Sequence, residues 1–230
     1  MLFSVITAAI APGVFLLTYL YLKDKYEAEP IHMVVRMFLI GVLILFPIMI
    51  IQRGLELWLG THPLLDAFGL SGAVEECVKW FVLYHIIYNH TEFDEPYDGI
   101  VYAASISLGF ATLENVLYAI SQPSDFGSLL FRALLPVSGH ALFGITMGYY
   151  MGKAKFASPV RSRHFLFISI IVPLLMHGLY DWILITFVRG WIWIIPPFMA
   201  VLWVWALRNM QRASSRSPFR FLPREDEVKL

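Results

Sequence analysis

MVVRMFLIGVLILFPIMII, residues 33 to 51, decides the solvent in which this chain folds. Its one charged residue is Arg36. A helix rises 1.5 Å per residue, so about 20 such residues cross the hydrocarbon core of a bilayer. Working outward, the second run continues toward Leu59, and six more apolar runs appear: Leu2 to Leu22, Ala67 to Tyr88, Gly99 to Ile120, Leu129 to Met151, Phe165 to Phe187 and Trp191 to Leu207. Of the 230 residues, 58% are hydrophobic and 15% charged, against roughly 45–50% and about 25% in globular chains. Mean hydropathy is +0.67, which leaves too few polar residues to cover a soluble core. The fold expected is all-α: a polytopic transmembrane helix bundle of about seven spans in a lipid bilayer. With 17 basic and 17 acidic side chains the formal net charge is zero, which excludes nucleic-acid binding by bulk charge. A single cysteine, Cys77, excludes an intramolecular disulfide framework and Cys-rich metal sites.

The first run lacks a basic leader and is followed by Lys23, Asp24 and Lys25, so it is expected to remain as a span and not to be cleaved. No internal repeat or low-complexity linker divides the chain. The organisation expected is one membrane-embedded domain, residues 1–207, and a basic cytoplasmic tail, 208–230. Lys23 and Lys25, the run Lys153, Lys155, Arg161 and Arg163, and the tail with Arg208, Arg212, Arg216, Arg220, Arg224 and Lys229 fall on one side of a seven-span bundle. Short cytoplasmic segments collect Lys and Arg, which places the N-terminus outside and the C-terminus inside.

Ionisable residues within spans are costly, and each marks a site or a structural pair. The third run carries Glu75, Glu76 and Lys79; the fourth Glu114 with Asn115; the fifth His140; the sixth His177 and Asp181. In the orientation above, Glu75, Glu114, His140 and His177 lie about six to eleven residues from the outer ends of their spans, roughly 9–17 Å deep. Four alternately directed helices thus deliver polar groups to one layer. Glu75 and Glu76 point about 100° apart on a helix, so one is expected to face the site and the other to pair with Lys79. His177 and Asp181 are four apart, which lets the carboxylate orient the imidazole. Gly144, Gly148 and Gly152 follow His140 at four-residue spacing and read as a helix-packing stripe. Asp94, Glu95 and Asp98 read as a solvated loop or as a cap on the fourth helix.

A glutamate in apolar surroundings can serve as a general base for water, and two histidines with carboxylates can stabilise an oxyanion and protonate a leaving amine. That chemistry is peptide hydrolysis. Glu76, His140, His177 and Asp181 could equally hold a divalent metal such as zinc; no HExxH motif is present, so a metal is optional at this stage. A proton-coupled or small-solute transporter is the rival from another class, but the polar layer lies to one side of the membrane, away from the midplane where transporter sites sit. A non-catalytic peptide-binding scaffold is the third reading, and it would tolerate loss of Glu76 or His177.

The motifs EExxK at Glu75, Glu76 and Lys79, FATLEN from Phe110 to Asn115, HALFG from His140 to Gly144 and HGLYD from His177 to Asp181 occur with APG at Ala11 to Gly13, YLKDKYEAEP at Tyr21 to Pro30 and FDEPYDGIVYAASISLGFATLEN from Phe93. In these the chain resembles the PrsW family of bacterial membrane proteases, within the wider group of CAAX prenyl endopeptidases and Abi-type proteins, over nearly its whole length to about Leu207. The resemblance implies a multi-pass protein of the bacterial cell membrane. Its implied activity is the first, site-1 cut in a single-pass anti-sigma factor, on the extracytoplasmic side, under cell-envelope stress. The family's paired glutamates correspond to Glu75 and Glu76, and the histidine of its last motif to His177, accompanied by Asp181. Two departures stand out. Lys79 comes one position earlier than the arginine of the wider group's EExxxR, and Glu114 replaces that group's histidine, leaving His140 to supply the second imidazole.

Overall fold

The computed structural model describes residues 2–121 and 126–221. Among them there is no strand. In chain order the helices are α1 (Leu2–Leu22), α2 (Ile31–Leu59), a π-helical segment (Leu65–Ala73) running straight into α3 (Val74–Ile86), α4 (Asp98–Ser121), α5 (Phe126–Arg132), a second π-helical segment (Ala133–Val137) running into α6 (Ser138–Lys155), α7 (Pro159–Thr186) and α8 (Trp191–Ser214), with a final 3₁₀ turn (Pro218–Phe221). Six of the seven expected runs are helices long and apolar enough to cross a membrane. The remaining run, the third, is helical as far as Ile86 but carries Glu75, Glu76 and Lys79. α8 continues through Arg208 and Arg212 to Ser214, so the basic tail begins as helix; Arg224 and Lys229 lie outside the described residues.

Lipid gives helices no hydrophobic reason to associate, so close van der Waals packing at small residues must hold them together. α4 is the axis of the bundle, buried continuously from Asp98 to Thr112. Gly13 of the APG motif brings α1 against it: a Cβ there would lie 2.0 Å from Thr112 Oγ1. Gly41 of α2 faces the Ile106 carbonyl, where a Cβ would approach to 2.1 Å. The expected glycine stripe is the third contact, with Gly148 so close to the Gly99 carbonyl oxygen that a Cβ would stand 2.0 Å from it. The outer faces, with Phe15, Leu43, Ile50, Trp193 and Val201, are exposed and apolar, as a lipid-facing surface requires. Trp191 and Trp203 pack partly into the core.

Both π-helical segments sit one turn before a chemistry-bearing stretch. The first ends at Ala73, just before Glu75, and the second, which contains Pro136, ends at Val137, just before His140. Such wide turns occur disproportionately at functional sites, because they re-aim the side chains that follow.

Candidate active site

α3 contributes Glu75, Glu76 and Lys79, all buried. Lys79 Nζ lies 3.1 Å from Glu75 Oε2, 2.9 Å from Glu76 Oε1 and 3.3 Å from His140 Nδ1. Its ammonium also rests over the Phe110 ring, 4.1 Å from the centroid. The expected division of labour between the glutamates does not hold, since both pair with Lys79. The reason is reach: the long Lys79 stem carries its charge across the 100° between positions three and four residues earlier. Their other contacts separate them. Glu75 also accepts from Gln52 Nε2 of α2, 3.2 Å away, whereas Glu76 Oε1 is 3.0 Å from His177 Nδ1.

α7 brings His177 in, and Gly178 beside it lets the first π-helical segment approach, with Phe68 lying where a Cβ would be. His177 Nε2 is 3.3 Å from Ser71 Oγ and 3.4 Å from Asp181 Oδ2, and the Ser71 hydroxyl donates to Asp181. α6 supplies His140, whose Nε2 lies 3.1 Å from Glu114 Oε2 on α4. The two imidazole rings meet edge to face at 5.1 Å between centroids. Each histidine therefore has a carboxylate behind it, Glu114 for His140 and Asp181 for His177, the arrangement that fixes ring orientation.

Of the residues singled out in the sequence, Glu75, Glu76, Lys79, His140, His177, Glu114 and Asp181 form one connected cluster. Asn115 lies at its edge, linked to Glu114 through Arg132: it donates to the Ala9 carbonyl at 2.8 Å and accepts from Arg132 Nε at 2.9 Å, a clamp between helices. Ser71, Gln52 and Arg132 escaped the sequence reading. Ser71 lies four residues before Glu75, but the π-helical turn between them hides its proximity to His177. Gln52 is a lone amide at the end of an apolar run, a signal too weak to place it. Arg132 Nη2 is 3.4 Å from Glu114 Oε1. The cluster is closed at the Glu76 and Lys79 end, where both side chains are fully buried, and opens where Asp181 is 22% and Glu114 41% exposed.

Residues 29–207 match the family described as PrsW family intramembrane metalloprotease. The chain belongs to the PrsW family. It is 53% identical over 213 residues to protease PrsW of Geobacillus kaustophilus, covering 92% of this chain and 93% of the relative. It is 50% identical over 215 residues to protease PrsW of Bacillus subtilis, covering 93% and 97%, and 32% identical over 216 residues to that of Clostridioides difficile, covering 91% of each. No solved structure matches the chain. As a PrsW-family member it is an intramembrane protease, a hydrolase, and a multi-pass protein of the bacterial membrane.

The family description implies a metal, and the PrsW-family cluster fits one. Glu75, Glu76, His140 and His177 each offer a donor atom, all within 4.8 Å of one another. Glu76 Oε2 is buried with no hydrogen-bond partner, an orphaned acceptor of the kind a bound cation satisfies. Two imidazoles and carboxylates are donors that zinc accepts. This set contains Glu75 where the sequence suggested Asp181, because Asp181 lies on the far ring nitrogen of His177, toward Ser71.

Proposed function

We propose that this protein makes the first cut in a single-pass membrane anti-sigma factor, on the extracytoplasmic side, with water activated by Glu75. The observation that carries the reading is the buried Glu75, Glu76, His140 and His177 cluster, with a partly exposed carboxylate behind each histidine. The orientation from the positive-inside rule puts this cluster in the outer leaflet, within reach of an external juxtamembrane peptide.

The residues divide by position. Glu76, fully buried and bonded to His177, together with His140 and His177 forms a set of three protein ligands, the number that catalytic zinc sites use to leave a position open. A divalent metal held there would lower the pKa of a bound water and polarise the scissile carbonyl. Glu75 is the glutamate nearer the opening, 8% exposed where Glu76 is 0%. It takes the proton from the attacking water and returns it to the leaving amine nitrogen. Gln52 and Lys79 hold its carboxylate in place, while Glu114 and Asp181 orient the two histidines. Burial of the cluster excludes competing bulk water and strengthens each of these interactions.

The test is to reconstitute the purified protein with a candidate anti-sigma factor and sequence the new termini. A single cut in the extracytoplasmic juxtamembrane stretch is expected. A cut on the cytoplasmic side, or accumulation of a small solute in sealed vesicles without cleavage, would reject the reading.

A further inference from the structure

At the other end of the bundle from the glutamate and histidine cluster, the α1–α2 connection meets the α3–α4 connection. Asp98 and Glu114 share α4 and stand 16 residues apart, about 24 Å along the axis. One carboxylate oxygen from each of Asp24, Glu95 and Asp98 lies within 4.8 Å of the others. The sequence suggested a solvated loop or a helix cap for Asp94, Glu95 and Asp98; Asp94 is exposed, but neither reading describes Glu95 and Asp98. Glu95 is 0% and Asp98 1% exposed. Asp98 Oδ2 accepts the backbone N–H groups of Asp94 and Glu95, at 2.8 and 2.7 Å, so it reaches back into the connection and not forward into α4.

The decisive feature is the set of oxygens left over. Both carboxylate oxygens of Glu95, both of Asp24 and Oδ1 of Asp98 are buried with no hydrogen-bond partner. Glu29, 4% exposed and bonded by the Tyr102 hydroxyl, adds a further carboxyl beside Asp98. Lys155, a basic residue that reaches this region, donates to the Tyr88 and His90 carbonyls, at 2.8 and 3.0 Å. Buried acceptors without donors are costly, and adjacent carboxylates repel. Two arrangements relieve this: a shared proton or a bound cation. Shared protons between Asp24 and Glu95 and between Asp98 and Glu29 would engage one oxygen of each residue and still leave the second oxygen of Glu95, which is fully buried, without a donor. A cation takes an oxygen from each of the three residues, and water completes its shell.

We infer that Asp24, Glu95 and Asp98 form a second metal site, for a hard divalent cation of the Mg²⁺ or Ca²⁺ class, which ties the α1–α2 connection to the start of α4. The ligand set is all oxygen, without the histidine or cysteine that softer metals prefer. It is therefore chemically distinct from the histidine-containing cluster.

The experiment is thermal unfolding of the purified full chain in detergent, stripped with a chelator and then titrated separately with Mg²⁺ and Ca²⁺. A saturable rise in Tm of about 4 °C or more is expected with at least one ion. The rise is retained in His177→Ala, which alters only the histidine-containing cluster, and lost in Glu95→Gln and Asp24→Asn. Asp24 is the less buried ligand, so Asp24→Asn decides the matter if Glu95→Gln does not fold. No rise in the wild type with either ion overturns the proposal. So does a rise undiminished in Asp24→Asn.

Discussion

Lys79 pairs with both buried glutamates. Removing it as Lys79→Met leaves two carboxylates in a low-dielectric site, and breaking such a buried pair costs about 3–5 kcal/mol. A corresponding loss of stability is expected in denaturant unfolding; an unchanged midpoint would mean the glutamates have another partner. The two glutamates should separate by readout. Glu75→Gln is expected to lose cleavage by about 10²-fold or more while keeping bound metal, whereas Glu76→Gln loses both, as elemental analysis of the purified protein would show. Glu114→Gln, which leaves His140 with a weaker acceptor, should reduce activity about 10–100-fold, and full activity would deny Glu114 a role in orienting that ring. The ionisable members of this cluster were legible in the sequence because charge is rare in an apolar run. Ser71 and Gln52 were not, since a hydroxyl or an amide is unremarkable there until the neighbouring helix is in place. The sharing of Lys79 was also hidden, because spacing gives directions from the axis and not the reach of a flexible stem.

Among the elements, the contact of α4 with α6 carries the most constraint. Gly148→Ala would drive a methyl into the Gly99 carbonyl, and overpacking of this kind costs typically about 1–3 kcal/mol. Gly54→Ala in α2 is the control, since a Cβ there meets nothing within 4 Å, and a gain of up to about 1 kcal/mol is expected from helix propensity. Equal effects of the two in thermal unfolding would show that the stripe does not hold the helices together. The stripe itself was readable from four-residue spacing. Helix ends were less so. α7 starts at Pro159, six residues before the apolar run at Phe165, with proline at its first position and Arg161 and Arg163 in its opening turns. Hydropathy finds the stretch that lipid covers, while a helix continues into water wherever backbone hydrogen bonding and capping allow. Glu95 and Asp98 show the same limit from the other side: a polar segment between spans looks solvated until tertiary packing buries it.

For the molecule as a whole, we propose from the distribution of Lys and Arg that the N-terminus lies outside and the C-terminus inside, with residues 208–230 as a cytoplasmic tail. In a Cys77→Ser background, Gly190→Cys should react with a membrane-impermeant thiol reagent added outside intact cells, and Ser158→Cys should react only after permeabilisation. The reverse pattern would turn the active cluster toward the cytoplasm. The comparison that bears most directly on the central claim is cleavage of a co-reconstituted anti-sigma factor by wild type, Glu76→Gln and His177→Ala, each with and without a strong chelator and with insertion verified. Cleavage by the wild type alone, abolished by the chelator, is the expected result. Cleavage that persists in both variants would contradict it, leaving the buried cluster a structural feature and the catalytic centre elsewhere in the protein.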